Sequence, residues 1–137
     1  MAEEKDGGSS NPCVPVSWGE LIDKITILEI KSARLADPSA LNNVKKELSL
    51  LMEKASPMLA GSSRVASLKS ELNDANKSLW DIEDRIREKE RVRMFDAEFI
   101  ELARAIYKTN DRRAEIKRHI NIHLASDLVE EKSYQKY

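Results

Sequence analysis

The residues best suited to chemistry lie on one stripe of the last long helical segment. Asn110, Arg113, Lys117 and Asn121 follow one another in steps of three and four, so a helix sets them on one face. Phe99, Leu102 and Ile106 begin the same stripe and turn it inward. A guanidinium and an ammonium facing a core need carboxylate partners or an anionic ligand. Asp23 and Glu83 are the carboxylates expected to meet them. Asn110, Arg113 and Lys117, with Glu83 and Arg85 as neighbours, therefore form the candidate binding set for a small anion. The other reading of the same residues is a structural ion network.

Three further groups invite a chemical reading. The run from Trp80 to Arg93 is dense in charge, and Glu83 and Arg87 stand four residues apart, a helix-supporting pair. It reads as an exposed, salt-bridged helix end, or as an anion grip using Arg85 or Arg87. Glu20, Asp23, Lys24 and Glu29 form a polar face on the first helix, and Gly19 leaves room there for a close backbone or ligand approach. Glu115, His119 and His123 are spaced four apart, but no cysteine lies near them and spacing alone makes no metal site. The chain shows no phosphate-cradling glycine loop, nucleophile elbow or Cys–His dyad pattern. No metal and no cofactor is expected, and no catalytic residue is assigned.

The elements that must position these residues are helices. Ser17 and Glu20 have the spacing of a capping box, with Val16 and Leu21 as a hydrophobic staple. Leu21, Ile22, Ile25, Leu28 and Leu35, widened by Ile27 and Ile30, give the first helix an apolar arc too broad for a single neighbour. That places it centrally or in a subunit interface. Asp37-Pro38 opens a second helix carrying Leu41, Val44, Leu48 and Leu51, which Pro57 should end or kink. Val65, Leu68, Leu72, Ala75, Leu79, Ile82 and Ile86 form a heptad seam in a third helix, from Ser63 to Arg93, roughly 45 Å long. Beyond Ile86 that seam turns charged at Lys89 and Arg93, where the helix outruns its core or meets another chain. Asp96 caps a fourth helix, and the short connection makes the last two helices an antiparallel hairpin. The segment from Ser126 to Tyr137 extends that helix or docks as a short piece. The fold class expected is all-α: a small antiparallel bundle with a long coiled-coil-like hairpin. Residues 1–13 read as a disordered tail and 14–137 as one domain.

Composition narrows the function classes. The 137 residues are 41% hydrophobic and 34% charged, more charged than the roughly one-quarter of an average domain. The net charge of -1 argues against a nucleic-acid binder. One cysteine, Cys13, forms no intrachain disulfide and fits a cytoplasmic setting. No stretch approaches the ~18 apolar residues of a membrane span.

The run VPVSWGELIDKITILEIK (Val14 to Lys31) resembles a family of small bacterial proteins catalogued as a domain of unknown function. LWDIEDRIREKE (Leu79 to Glu90), FDAEFIELARAIYKTNDRRAEIKRHIN (Phe95 to Asn121) and EEKSY (Glu130 to Tyr134) resemble the same family. The resemblance implies a bacterial origin and carries no catalytic residues with it. Leu21-Ile22-Asp23-Lys24-Ile25 is also similar to the first-helix pattern of the all-helical chorismate mutases, which hold a dianion with Arg and Lys inside a helical dimer. The arginine expected before that pattern is missing, because Ser17, Trp18 and Gly19 occupy the region.

Two functions are expected in order. The first is an interaction or accessory module that self-associates, with a protein partner. The second is a small helical enzyme or binder for an anionic metabolite.

Overall fold

The computed structural model describes residues 10–137. Of the tail expected over residues 1–13, residues 1–9 lie outside the described residues. Four helices follow in order: α1 (Trp18–Arg34), α2 (Pro38–Ala60), α3 (Ser63–Arg91) and α4 (Ala97–His123). There is no strand among the described residues. The fold is an all-α bundle.

Each helix begins where a short polar side chain accepts a hydrogen bond from the backbone three residues on. Ser17 accepts from Glu20, Asp37 from Ala40, Ser62 from Val65 and Asp96 from Phe99. Such caps satisfy amides that have no partner inside the helix. The ends differ more from expectation. The helix α2 runs three residues past Pro57 to Ala60. The proline falls in the last turn, where its missing N–H removes only one helical bond, and Gly61 closes the turn by donating to the Pro57 carbonyl at 3.1 Å. The helix α3 stops at Arg91, two residues short of expectation, because Arg93 adopts φ 56°. There Met94 N–H donates back to the Lys89 carbonyl at 2.9 Å and Arg93 N–H to Glu90, a left-handed helix stop. Ala125, φ 49°, ends α4 in the same way, with Ser126 N–H donating to the Asn121 carbonyl at 2.8 Å.

Helices α3 and α4 run antiparallel: Ser62 meets His123 at one end, and Lys89 bonds Asp96 at the other. The helix α1 crosses this hairpin, contacts all three other helices and is the most deeply buried element. Its broad apolar arc serves those three neighbours. The core joins Ile22 of α1 to Val65, Leu68, Leu72 and Ala75 of α3 and to Ile116 and Ile120 of α4, with Trp18, Leu59 and Leu124 against it. Each buried Val, Leu or Ile among them contributes roughly 1.5–3 kcal/mol.

This core fills only one half of the hairpin. The last buried residue of α3 is Asn76 and the first of α4 is Ile116. Between them both helices continue for more than a dozen residues, an arm on the order of 20 Å long. At its tip Lys89, the seam position expected to be charged, bridges Asp96 at 2.8 Å and Glu98 at 3.0 Å, with its own side chain only 11% exposed. Those two carboxylates raise its pKa.

A left-handed arginine stores backbone strain of roughly 1–2 kcal/mol that glycine avoids, although glycine also gives more freedom to the unfolded chain. Arg93→Gly is therefore expected to stabilise the protein by about 0.5–1 kcal/mol. Thermal unfolding reads this, and a lowered midpoint would contradict it.

Candidate functional site

The site begins with a close approach of two backbones. Gly19 sits in the first turn of α1 against α4, where a Cβ would lie 2.6 Å from the Lys117 carbonyl oxygen and 2.9 Å from Asn121 Oδ1. Only a glycine fits there. Its N–H donates to Asn121 Oδ1 at 2.7 Å, and the neighbouring Trp18 N–H donates to Ser126 Oγ at 3.3 Å. The start of α1 is thus capped from its own chain neighbour Ser17 and from α4 and the segment after it. This docking sets α1 in register with α4, one turn before Asp23.

Asp23 is 1% exposed. Its carboxylate accepts from Arg113 Nε at 2.9 Å and Arg113 Nη2 at 2.5 Å, a two-pronged grip. Asn76 of α3 donates to the same carboxylate at 2.9 Å and to Thr26 Oγ1 at 2.8 Å, while Thr26 donates to the Asp23 carbonyl at 2.7 Å. One buried charge therefore ties three helices together, and both its oxygens are hydrogen-bonded. A buried carboxylate is tolerated only on such terms.

One turn along α4, Lys117 reaches the same region with its side chain 9% exposed. Its ammonium donates to Glu20 at 2.8 Å and Glu130 at 2.9 Å, and lies 3.9 Å from Asp23 Oδ2. Burial works to lower the Lys117 pKa, but Glu20 and Glu130 outweigh it and the net shift is upward. Three carboxylates thus surround two cations. Glu130 belongs to an extended strap, residues 124–137, which doubles back along α4. Glu131 faces Arg118 at 3.8 Å, and the Tyr137 hydroxyl donates to Asp111 at 2.7 Å beside the Tyr107 ring. The segment from Ser126 docks rather than extending the helix.

The structure divides the candidate anion-binding set. Arg113 and Lys117 come together with Asp23, and Asn110 stands at the edge, 3.5 Å from Arg113 Nη1. Glu83 lines a cleft of about 300 Å³ with Arg113, Ile27, Leu79 and Trp80, and pairs with Arg87 at 3.2 Å. Arg85 is on the exposed arm and pairs with Glu98. Of the two carboxylates weighed as partners for Arg113, it is Asp23 that holds it. Glu20, with the spacing for a capping box, gives its carboxylate to Lys117. His123 meets Ser62 Oγ at 3.3 Å.

Sequence reasoning missed Asn76, Thr26 and Glu130. Asn76 lies four residues after Leu72, on the seam side of α3, and a lone amide on an apolar face is a legible sign of a buried network. Thr26 follows Ile22 by the same step. Glu130 sits outside any periodic segment, so nothing local marks it.

A family model described as a family of unknown function, DUF6165, matches residues 13–137. The chain belongs to this family. No curated protein matches it, and no solved structure does. The matched span includes every residue of the site described above, from Gly19 to Glu130.

Removing one partner of a buried pair strands the other, typically at 3–5 kcal/mol. Arg113 keeps some exposure, which places Arg113→Ala near the lower bound, about 3 kcal/mol less stable by urea unfolding. A loss under about 1 kcal/mol would show that water replaces the guanidinium. The Lys117 hydrogen bond holds the Glu130 carboxyl below its usual range, against an opposing effect of burial. The ionised form is thus the docked one. Strap docking is expected in full above the usual glutamate pKa of about 4.3 and is lost as pH falls through the depressed value. Backbone amide chemical shifts of residues 128–137, constant from pH 5 to 7 and moving only on further acidification, would show it. Release already near pH 6 would refute it.

Proposed function

We propose that the protein is a self-associating helical module whose outer α3–α4 arm packs against the same arm of a second copy. The observation that carries this is the mismatch between core and hairpin. The heptad seam continues past the last buried residue through Leu79, Ile82 and Ile86, and Phe99, Leu102 and Ile106 face it from α4. None of these is buried within one chain. At the tip Val92, Met94, Phe95 and Ile100 are 44–57% exposed, and Phe95 packs edge-on against Phe99. Such a contiguous apolar end marks an interaction surface rather than scattered exposure. A second copy is the partner that suits it, because both signs of charge alternate along the arm. Arg85, Arg87 and Arg91 are answered within the chain by Glu98, Glu83 and Glu88, so two like arms meet without an excess of either charge. The bacterial, cytoplasmic setting expected from the sequence belongs to the same proposal.

The anionic-metabolite reading stands second. Arg113 and Lys117 do face inward, yet their charge is already answered by Asp23, Glu20 and Glu130.

Light scattering on the full chain is expected to give an even-numbered oligomer. The double variant Phe95→Asp, Ile100→Asp is expected to give monomer with an unchanged helical circular dichroism spectrum. A monomeric parent protein, or an oligomer indifferent to both substitutions, would rule out the arm as the contact.

A further inference from the structure

The strap brings a ligand-like group to a buried cation. Residues 127–137 are exposed throughout, so the strap buries little of itself. It meets α4 through Glu130 on Lys117, Glu131 on Arg118 and Tyr137 on Asp111. Lys117 is the opposite case, a side chain nine-tenths buried, with Glu20 fixed on one side and the Asp23–Arg113 pair behind it. The Glu130 carboxylate itself is 45% exposed, so the place it occupies opens to solvent.

The hydrogen-bond geometry explains why that place suits an anion. Glu20 and Asp23 already match Arg113 and Lys117 in charge, but with Glu130 withdrawn the Lys117 ammonium keeps Glu20 as its one hydrogen-bonded carboxylate, in partly dehydrated surroundings. An incoming anionic oxygen restores the arrangement that Glu130 supplies. A tethered carboxylate competes at an effective concentration in the millimolar range, within reach of a free ligand.

We propose that the Lys117 ammonium, backed by Arg113, is a binding site for a small carboxylate or phosphate, and that the chain's own Glu130 occupies it in this conformation. The site lies on the inner half of the hairpin, away from the tip argued to self-associate, and the two readings stand or fall separately.

The test is a titration of the full chain with inorganic phosphate and with succinate, followed by backbone amide NMR. Removing the internal competitor in Glu130→Gln should tighten binding of at least one probe by roughly tenfold over the parent chain. Shifts are expected to centre on residues 18–23 and 113–121. Glu115→Gln removes the same charge from an exposed position on α4, outside the strap, and should leave affinity unchanged. A response to phosphate alone or to succinate alone tells the two anion classes apart, and either supports the site. Equal tightening in both variants would show a general charge effect and overturn the proposal. So would no tightening in Glu130→Gln, or shifts scattered away from those two segments. Lys117→Gln in the Glu130→Gln background should abolish binding. If that chain does not fold, the shift map of Glu130→Gln alone decides.

Discussion

The architecture depends on a single buried carboxylate. Asp23 lies at the crossing of three helices: its carboxylate accepts from Arg113 of α4 and Asn76 of α3, and Thr26 of α1 holds Asn76 in place. An ion in that position adds little net stability compared with a well-packed apolar replacement. What it does supply is discrimination. An apolar helix like α1 could rotate or slide against its neighbours at small loss, whereas a misplaced Asp23 would leave a bare charge in the core. The glycine contact one turn earlier acts in the same direction, since the Lys117 carbonyl comes closer to Gly19 than any side chain there would allow.

Fixing α1 in this way determines which part of the hairpin is a core and which is an arm. The helix α1 has 17 residues, against 29 in α3 and 27 in α4. A short helix anchored near the open end of a long hairpin cannot cover the other end. The arm is therefore a consequence of register and length together. Its ion pairs, among them Lys89 to Asp96 and Arg85 to Glu98, hold the two helices of the arm to each other while its seam stays only half-buried.

The strap adds a different kind of contact. It contributes charge where the helices have left a cation only partly answered, and it does so with little buried surface. Ala125, held at a positive φ, turns the chain back at the base of the strap. Contacts of this type belong to the least stable part of a fold, where local opening costs little and binding segments are usually found.

Much of this was legible in the residues themselves. Three of the four caps, the heptad seam, the antiparallel hairpin and the inward stripe through Arg113 and Lys117 all follow from interactions spanning three or four residues, which the chain order states directly. The sequence also named Asp23 as a candidate partner, but could not choose it over Glu83, because both are acidic and both lie on helices that reach α4. That choice spans 90 residues between Asp23 and Arg113 and was made by the crossing of α1 over the hairpin. Arg85 shows the same limit in reverse: its spacing suited an inner site, but it lies beyond the end of α1 and pairs with Glu98. Glu130 was invisible for the simplest reason. Its position depends on where an extended strap comes to rest, and an extended strap has no periodicity to read. Local order came from the sequence through short-range geometry; the partners of the buried charges were decided by packing.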